Sequence, residues 1–276
     1  MKKSILIAFL LTLQLFPTLA QFGPENGVKK SEPKAILIQN ARIYVSPTQV
    51  LEKADMLVVD GRVKEIGSNL KDQQAVVVDY SGKTILPSFV ELYSNIGQPK
   101  TTFHEGGFRS QTKAEKDGAY YWNETIHPEF NAARSFAIDA KANETMIQQG
   151  FGFAVSHLMD GMVRGTGALV SLGNDQVNKQ LIKGAAGQFL SFSKGSSSEG
   201  YPSSQMGSIA LMRQALFDLS YYSSTPQSEF SISLDAWSRE LNVPMFFKTE
   251  DKWEILRAEK IEIGRASCRE RVSSPV

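Results

Sequence analysis

The chain has 276 residues, of which 42% are hydrophobic and 21% charged, enough apolar content for one large folded domain or two smaller ones. Its net charge of +1 gives no electrostatic basis for a nucleic-acid partner or for attraction to an anionic membrane surface. Residues 1–20 have the organisation of a secretory signal peptide: Lys2 and Lys3, an apolar run over 5–16, then Thr18-Leu19-Ala20 before Gln21. That run is short for a bilayer, so the mature protein is expected to be exported, periplasmic or secreted, with no integral membrane segment after cleavage. The residue directly after the cleavage site is Gln21, not a cysteine that could carry a lipid. Residues 21–33, with Gly, Pro, Asn, Lys and Ser and few apolar side chains, read as a tether.

Strand signals follow at 35–45, 56–59, 62–66 and 75–79, with Asp60-Gly61 as a strong hairpin turn. Residues 84–92 read as one buried strand, with Pro87 near its start, where a missing N–H is tolerated. The series Ile38-Gln-Asn-Ala-Arg-Ile-Tyr, Asp55-Met-Leu-Val-Val-Asp-Gly-Arg-Val-Lys-Glu-Ile-Gly and Val78-Asp-Tyr-Ser-Gly-Lys-Thr-Ile-Leu-Pro resembles the small β-sandwich that precedes the barrel in the amidohydrolase superfamily, of the imidazolonepropionase-like kind. The resemblance implies an α/β chain: a sandwich over 34–85, then an incomplete (β/α)8 TIM-type barrel over 86–261. Intact members place His-x-His at the end of the first barrel strand and use a zinc-type divalent metal to activate water for hydrolysis of carbon–nitrogen bonds other than peptide bonds. Here Ser88 replaces the glycine after Pro87, Glu91 takes the acid position, and Tyr93 and Asn95 stand at the two histidine positions. A phenol that keeps its proton at neutral pH and a weakly ligating amide do not make the usual first metal site.

Residues 98–131 form a long connection at what would be the substrate face of such a barrel. It carries His104, Gly106-Gly107, Tyr120-Tyr-Trp122 and His127-Pro128-Glu129. One reading is a substrate lid, or substitute metal ligands from His104, His127 and Glu129; the other, preferred, is a surface loop packed down by its own aromatics. Residues 131–149 read as a helix stopped by Gly150, and 151–157 as a strand ending in His157, whose preferred role is that of a hydrogen-bonded structural histidine. The run Arg164-Gly-Thr-Gly-Ala-Leu-Val-Ser-Leu-Gly173 lacks the glycine spacing of a phosphate-binding loop, which leaves a turn and a short strand. A loop over 190–202, helices over 205–222, 234–241 and 251–260, and a strand over 243–248 complete the pattern. Lys248 and Glu250 stand where many amidohydrolases place a histidine, and Lys248 is a weak candidate for a carboxylated ligand.

Residues 263–272 resemble one reading frame of a sequencing adapter, so 262–276 are set aside as a non-native tail that holds the sole cysteine, Cys268. The expected function is hydrolysis of cyclic or linear amides by the whole protein, with a small-molecule substrate and with a missing barrel half or second amidohydrolase unit as partner. The chain alone is expected to be inactive. The alternative is a non-catalytic binding or scaffolding module on a degenerate amidohydrolase fold.

Overall fold

The computed structural model describes residues 34–101, 116–173, 176–225, 229–261 and 269–273. The proposed signal peptide, the tether, His104 and most of the tail lie outside them. Contacts divide the chain into two units at Pro87/Ser88.

The first unit is a five-stranded sheet in the order β3 (Arg62–Gly67), β2 (Gln49–Val59), β1 (Ala35–Ser46), β4 (Val76–Asp79), with β5 (Thr84–Ile85) also pairing with β1. β1 and β2 run antiparallel, and β2 returns into β3 through Asp60-Gly61, both at positive φ as a tight hairpin requires. Alternate residues of β1 and β2 bury a small core of Ala41, Ile43, Ala54 and Met56. The buried carboxylate of Asp55 accepts from the backbone N–H groups of Asn40 and Leu70, 3.0 Å each, and so pins the irregularity in β1 where Asn40 takes a φ of 60°.

The expected single strand over 84–92 is two short ones. β5 pairs with β1, whereas β6 (Phe89–Ser94) belongs to the second unit and pairs with β7 (Phe151–Ser156). Pro87 has no N–H to donate, so the ladder stops there. Nor is the segment buried, since Leu86 is 60% and Phe89 62% exposed.

The second unit holds a six-stranded sheet in the order β11 (Arg269–Ser273), β10 (Met245–Thr249), β9 (Leu181–Ser191), β8 (Val163–Ser171), β7, β6. β6, β7, β9, β10 and β11 all point one way, and β8 runs against its neighbours. The strand over 163–171 is therefore longer than the turn and short strand expected there, and β9, which carries few sequence signals, pairs with it. Residues 131–149 form two helices, α1 (Ala132–Ser135) and α2 (Ala140–Gln148), because Asn131 caps the first and Asp139 accepts from the N–H of Ala142 to start a second. α3 (Val177–Gln180) is a single turn. α4 (Gln205–Ser224), α5 (Ile232–Arg239) and α6 (Lys252–Lys260) begin at the side-chain caps Ser204, Ser231 and Asp251.

One face of this sheet packs on helices: Leu190, Met245 and Phe247 meet Leu211, Met212, Ala215 and Leu219 of α4 and Trp237 of α5. Each fully buried side chain of this size contributes about 1.5–3 kcal/mol. Val155, Phe189 and Phe246 form a separate cluster with Tyr93, Leu169 and Ala186. Among the described residues no helix is long and apolar enough to cross a membrane.

Candidate functional site

The common direction of β6, β7, β9 and β10 brings their C-terminal ends to one edge, together with the start of the reversed β8. Aromatic rings line up across that edge. The imidazole of His157 stacks on Phe189 at 3.7 Å with the planes 7° apart, and Phe189 stacks on Phe246 at 4.9 Å. The phenol ring of Tyr93 meets His157 edge-on at 4.5 Å. Gly167 and Gly187 make this approach possible, because a Cβ at either would collide with the ring of Phe189 or Phe246.

Polar atoms hang on this stack. Arg164, 3% exposed, donates from Nε to the carbonyl of Gly161 at 2.9 Å and from Nη1 to the Tyr93 hydroxyl at 2.5 Å. Among the described residues no carboxylate lies within ion-pair distance of this guanidinium. His157 is fully buried; its Nδ1 lies 2.8 Å from the carbonyl of Leu158, which fixes Nδ1 as the protonated nitrogen. Its Nε2 has no partner. Burial pushes the pKa of His157 down to about 3, and the Arg164 charge adds to the shift, so the ring is neutral at pH 7 with Nε2 as an acceptor.

A cleft of about 670 Å³ is formed by the loops after β6, β7 and β9 and lined by Lys116, Glu124, His127, Glu129, Asp160 and Lys194 among others. Most of its polar groups are engaged. Glu129 accepts from Lys116 Nζ at 3.0 Å and from Ser233 Oγ at 2.8 Å, and Ser233 Oγ accepts from the N–H of Tyr121. Asp160 accepts from the N–H and the hydroxyl of Ser196, 2.6 Å each. His127 Nε2 sits against Gly161, where any side chain would collide with it. Burial holds its pKa below the usual range, against the opposing pull of the Glu129 charge. Glu199 lies in the loop after β9, 2% exposed, with no side-chain donor for either carboxylate oxygen. Burial raises its pKa to about 7 despite the nearby backbone N–H of Glu124, and the Glu124 charge adds to the rise.

Tyr93 and Asn95 do not converge: Tyr93 turns into the ring stack, while Asn95 is exposed beyond the end of β6. Lys248 pairs with Glu250 at 2.9 Å beside a different cleft, lined by Ser191, Ser204 and Asp251. His127 and Glu129 share the first cleft, yet no group of three His, Cys, Asp or Glu able to hold a metal ion occurs among the described residues. A guanidinium within hydrogen-bond distance of the Tyr93 hydroxyl is also the wrong charge to share that oxygen with a divalent cation. These residues do not fit the metal that the family resemblance implies.

Arg164 was hidden in the sequence inside a glycine-rich run, and only the facing strand shows that Gly167 serves Phe189 and His157. Glu199 was equally hidden, as one acid in a serine-rich loop. No local signal distinguished either.

No protein-family model matches the chain. Several dihydroorotases match part of it; among them, that of Caldicellulosiruptor saccharolyticus is 36% identical over 72 residues, 25% of this chain and 17% of the relative, and that of a Sulfurihydrogenibium species is 33% identical over 86 residues, 31% and 20%. The matched stretches thus span about a fifth or less of these relatives. Among solved structures, an amidohydrolase from Thermotoga maritima superposes with a TM-score of 0.64 at 23% identity, covering 82% of this chain and 61% of that one. By a stretch of shared sequence and by its fold, the chain is related to the amidohydrolase superfamily.

Proposed function

We propose that the whole protein is an exported hydrolase of carbon–nitrogen bonds in cyclic amides, and that the residues described here supply its scaffold and a ligand cleft, without a metal-ligand set of their own. Support for the chemistry comes from the dihydroorotase relatives, and support for export from the first 20 residues. The observation that supports the division of labour is the Arg164–Tyr93 bond, a fixed cation on the residue that the resemblance sets against the first histidine of His-x-His. From Tyr93 and Asn95 no hydrolytic step follows.

The test is an assay of the purified full chain against dihydroorotate and hydantoin, with metal analysis after dialysis against zinc-containing buffer. The expected result is no turnover and less than stoichiometric zinc. One zinc per chain, lost in His127→Ala or His104→Ala, would overturn the reading. A second reading, a binding module with no hydrolytic partner, is favoured by the same bond. It is separated from the first by whether a longer natural chain turns over either substrate.

A further inference from the structure

The segment that follows β9 lines the cleft with Lys194, Ser196, Ser197 and Ser198 and is fastened at two points. At the first, Ser196 donates its N–H and its hydroxyl to Asp160, and Gly195, at a φ of 68°, packs so closely on Asp160 and Gly161 that a Cβ there would collide with both. At the second, Asn123 Nδ2 donates to the carbonyl of Tyr201 at 2.9 Å, the Tyr201 hydroxyl donates to the carbonyl of Gly207 at 3.0 Å, and the Tyr201 ring stacks on Trp122. Between the two points run Ser197, Ser198, Glu199 and Gly200.

This middle stretch is held by local bonds: the N–H of Glu199 donates to Ser197 Oγ at 3.2 Å, and Lys194 Nζ donates to the Glu199 carbonyl at 3.0 Å. The Glu199 side chain is 2% exposed, and neither of its oxygens meets a side-chain donor among the described residues. A carboxyl buried in that way is stable while it keeps its proton; once ionised, it must regain water or a cation. Burial is the largest influence on it. Among the charged groups that act on it, Glu124 in the cleft wall also disfavours ionisation, whereas Lys194 favours it, as does the backbone N–H of Glu124.

We propose that residues 197–200 form a proton-controlled flap in the cleft wall, closed while Glu199 is protonated and released between the fixed points at Ser196 and Tyr201 when its carboxyl ionises. Release carries Ser197 and Ser198 out of the wall and brings the carboxylate to water and to Lys194, whose Nζ already sits on the Glu199 carbonyl. The proton goes to solvent. Its consequence for a ligand rests on the reading of this cleft as a ligand site. The closed state holds the proton more tightly than the open one, so opening grows as pH rises from about 4.5 to about 7 and levels off above that.

The experiment is hydrogen exchange of the full chain, read by mass spectrometry, in the parent and in Glu199→Gln at matched pH values from 5 to 8. Taking the ratio of the two at each pH cancels the intrinsic pH dependence of exchange. On peptides covering 195–201, the ratio of parent to variant exchange is expected to rise tenfold or more between pH 5 and pH 8, most of it below pH 7, while peptides from β8 and β9 stay level. In Glu124→Gln the closed state holds the proton less tightly, so exchange of the same peptides should rise less than in the parent; that comparison serves alone should Glu199→Gln fail to fold. A ratio flat over this range, or a rise shared equally by β8 and β9, would overturn the flap. The measurement contains no ligand. A cleft that binds nothing would therefore leave the flap in place, and a segment that stays closed would leave the reading of the cleft untouched.

Discussion

Two polar groupings sit at the same edge of the second sheet and are satisfied differently. In the cleft wall, Glu129, Lys116 and Ser233 form a closed chain, and Asp160 is matched twice by Ser196. Behind that wall, Arg164 has no carboxylate partner among the described residues and His157 Nε2 lacks a donor, and in the loop after β9 Glu199 has no side-chain donor for either oxygen. Closed groupings fix loops, because every atom removed leaves another stranded. Open ones cost stability, because a buried polar atom gives up water without gaining a partner, which makes the contrast testable by which variants harm the fold.

The largest effect is expected from Gly167→Val, which drives a side chain into the ring of Phe189 and against His157, whose Cβ lies only 3.2 Å from a Cβ at that position. A loss of about 3 kcal/mol or more in chemical denaturation is expected; a change under about 1 kcal/mol would mean that the ring stack is loose. Next is Asp160→Ala, which strands the N–H and hydroxyl of Ser196 and should cost about 2 kcal/mol in the same measurement.

Glu199→Gln should act with opposite sign and only at higher pH. A carboxyl whose folded pKa is raised from 4.5 to about 7 contributes stability that is fully present below pH 4.5 and lost as pH rises through 7. The amide removes that loss, so the variant should match the parent near pH 4.5 and exceed it by about 1–2 kcal/mol at pH 8, read from unfolding curves at the two pH values. Parallel curves would place Glu199 in the closed class. Smallest of all, Arg164→Met should change stability by less than about 1 kcal/mol in either direction, since losing two hydrogen bonds is offset by losing a buried charge. A large loss there would make Arg164 a structural residue and erase the contrast.

Much of the frame was legible in the chain. Strand-forming residues over 35–66 with the Asp60-Gly61 turn marked the first sheet, although burial alternates only along β1, while β2 buries four successive residues, 54–57. The pattern of residues placed the starts of α4, α5 and α6 within one or two residues of those observed. β8 was read only as a turn and a short strand and its partner β9 not at all, since their glycines answer to rings on other strands and dilute any period of two. The candidate site failed for the same reason. Tyr93 was singled out only through the resemblance, and its hydrogen bond from Arg164 depends entirely on tertiary placement.

The reversed β8 has a further consequence, in the order of assembly. β7, β8 and β9 make a meander whose partners are near in sequence, whereas β6 meets β7 only after the whole stretch between Phe89 and Phe151 has been looped out. Closing a long loop costs more chain entropy than zipping adjacent hairpins, so the meander is expected to nucleate the unit and β6 to dock late. Pulse-labelled hydrogen exchange during refolding would then protect the amides of Val155, Leu169 and Gln188 before those of Val90 and Glu91. The edge that carries Arg164 and His157 would be built first, and Tyr93 would arrive with the last strand to complete it.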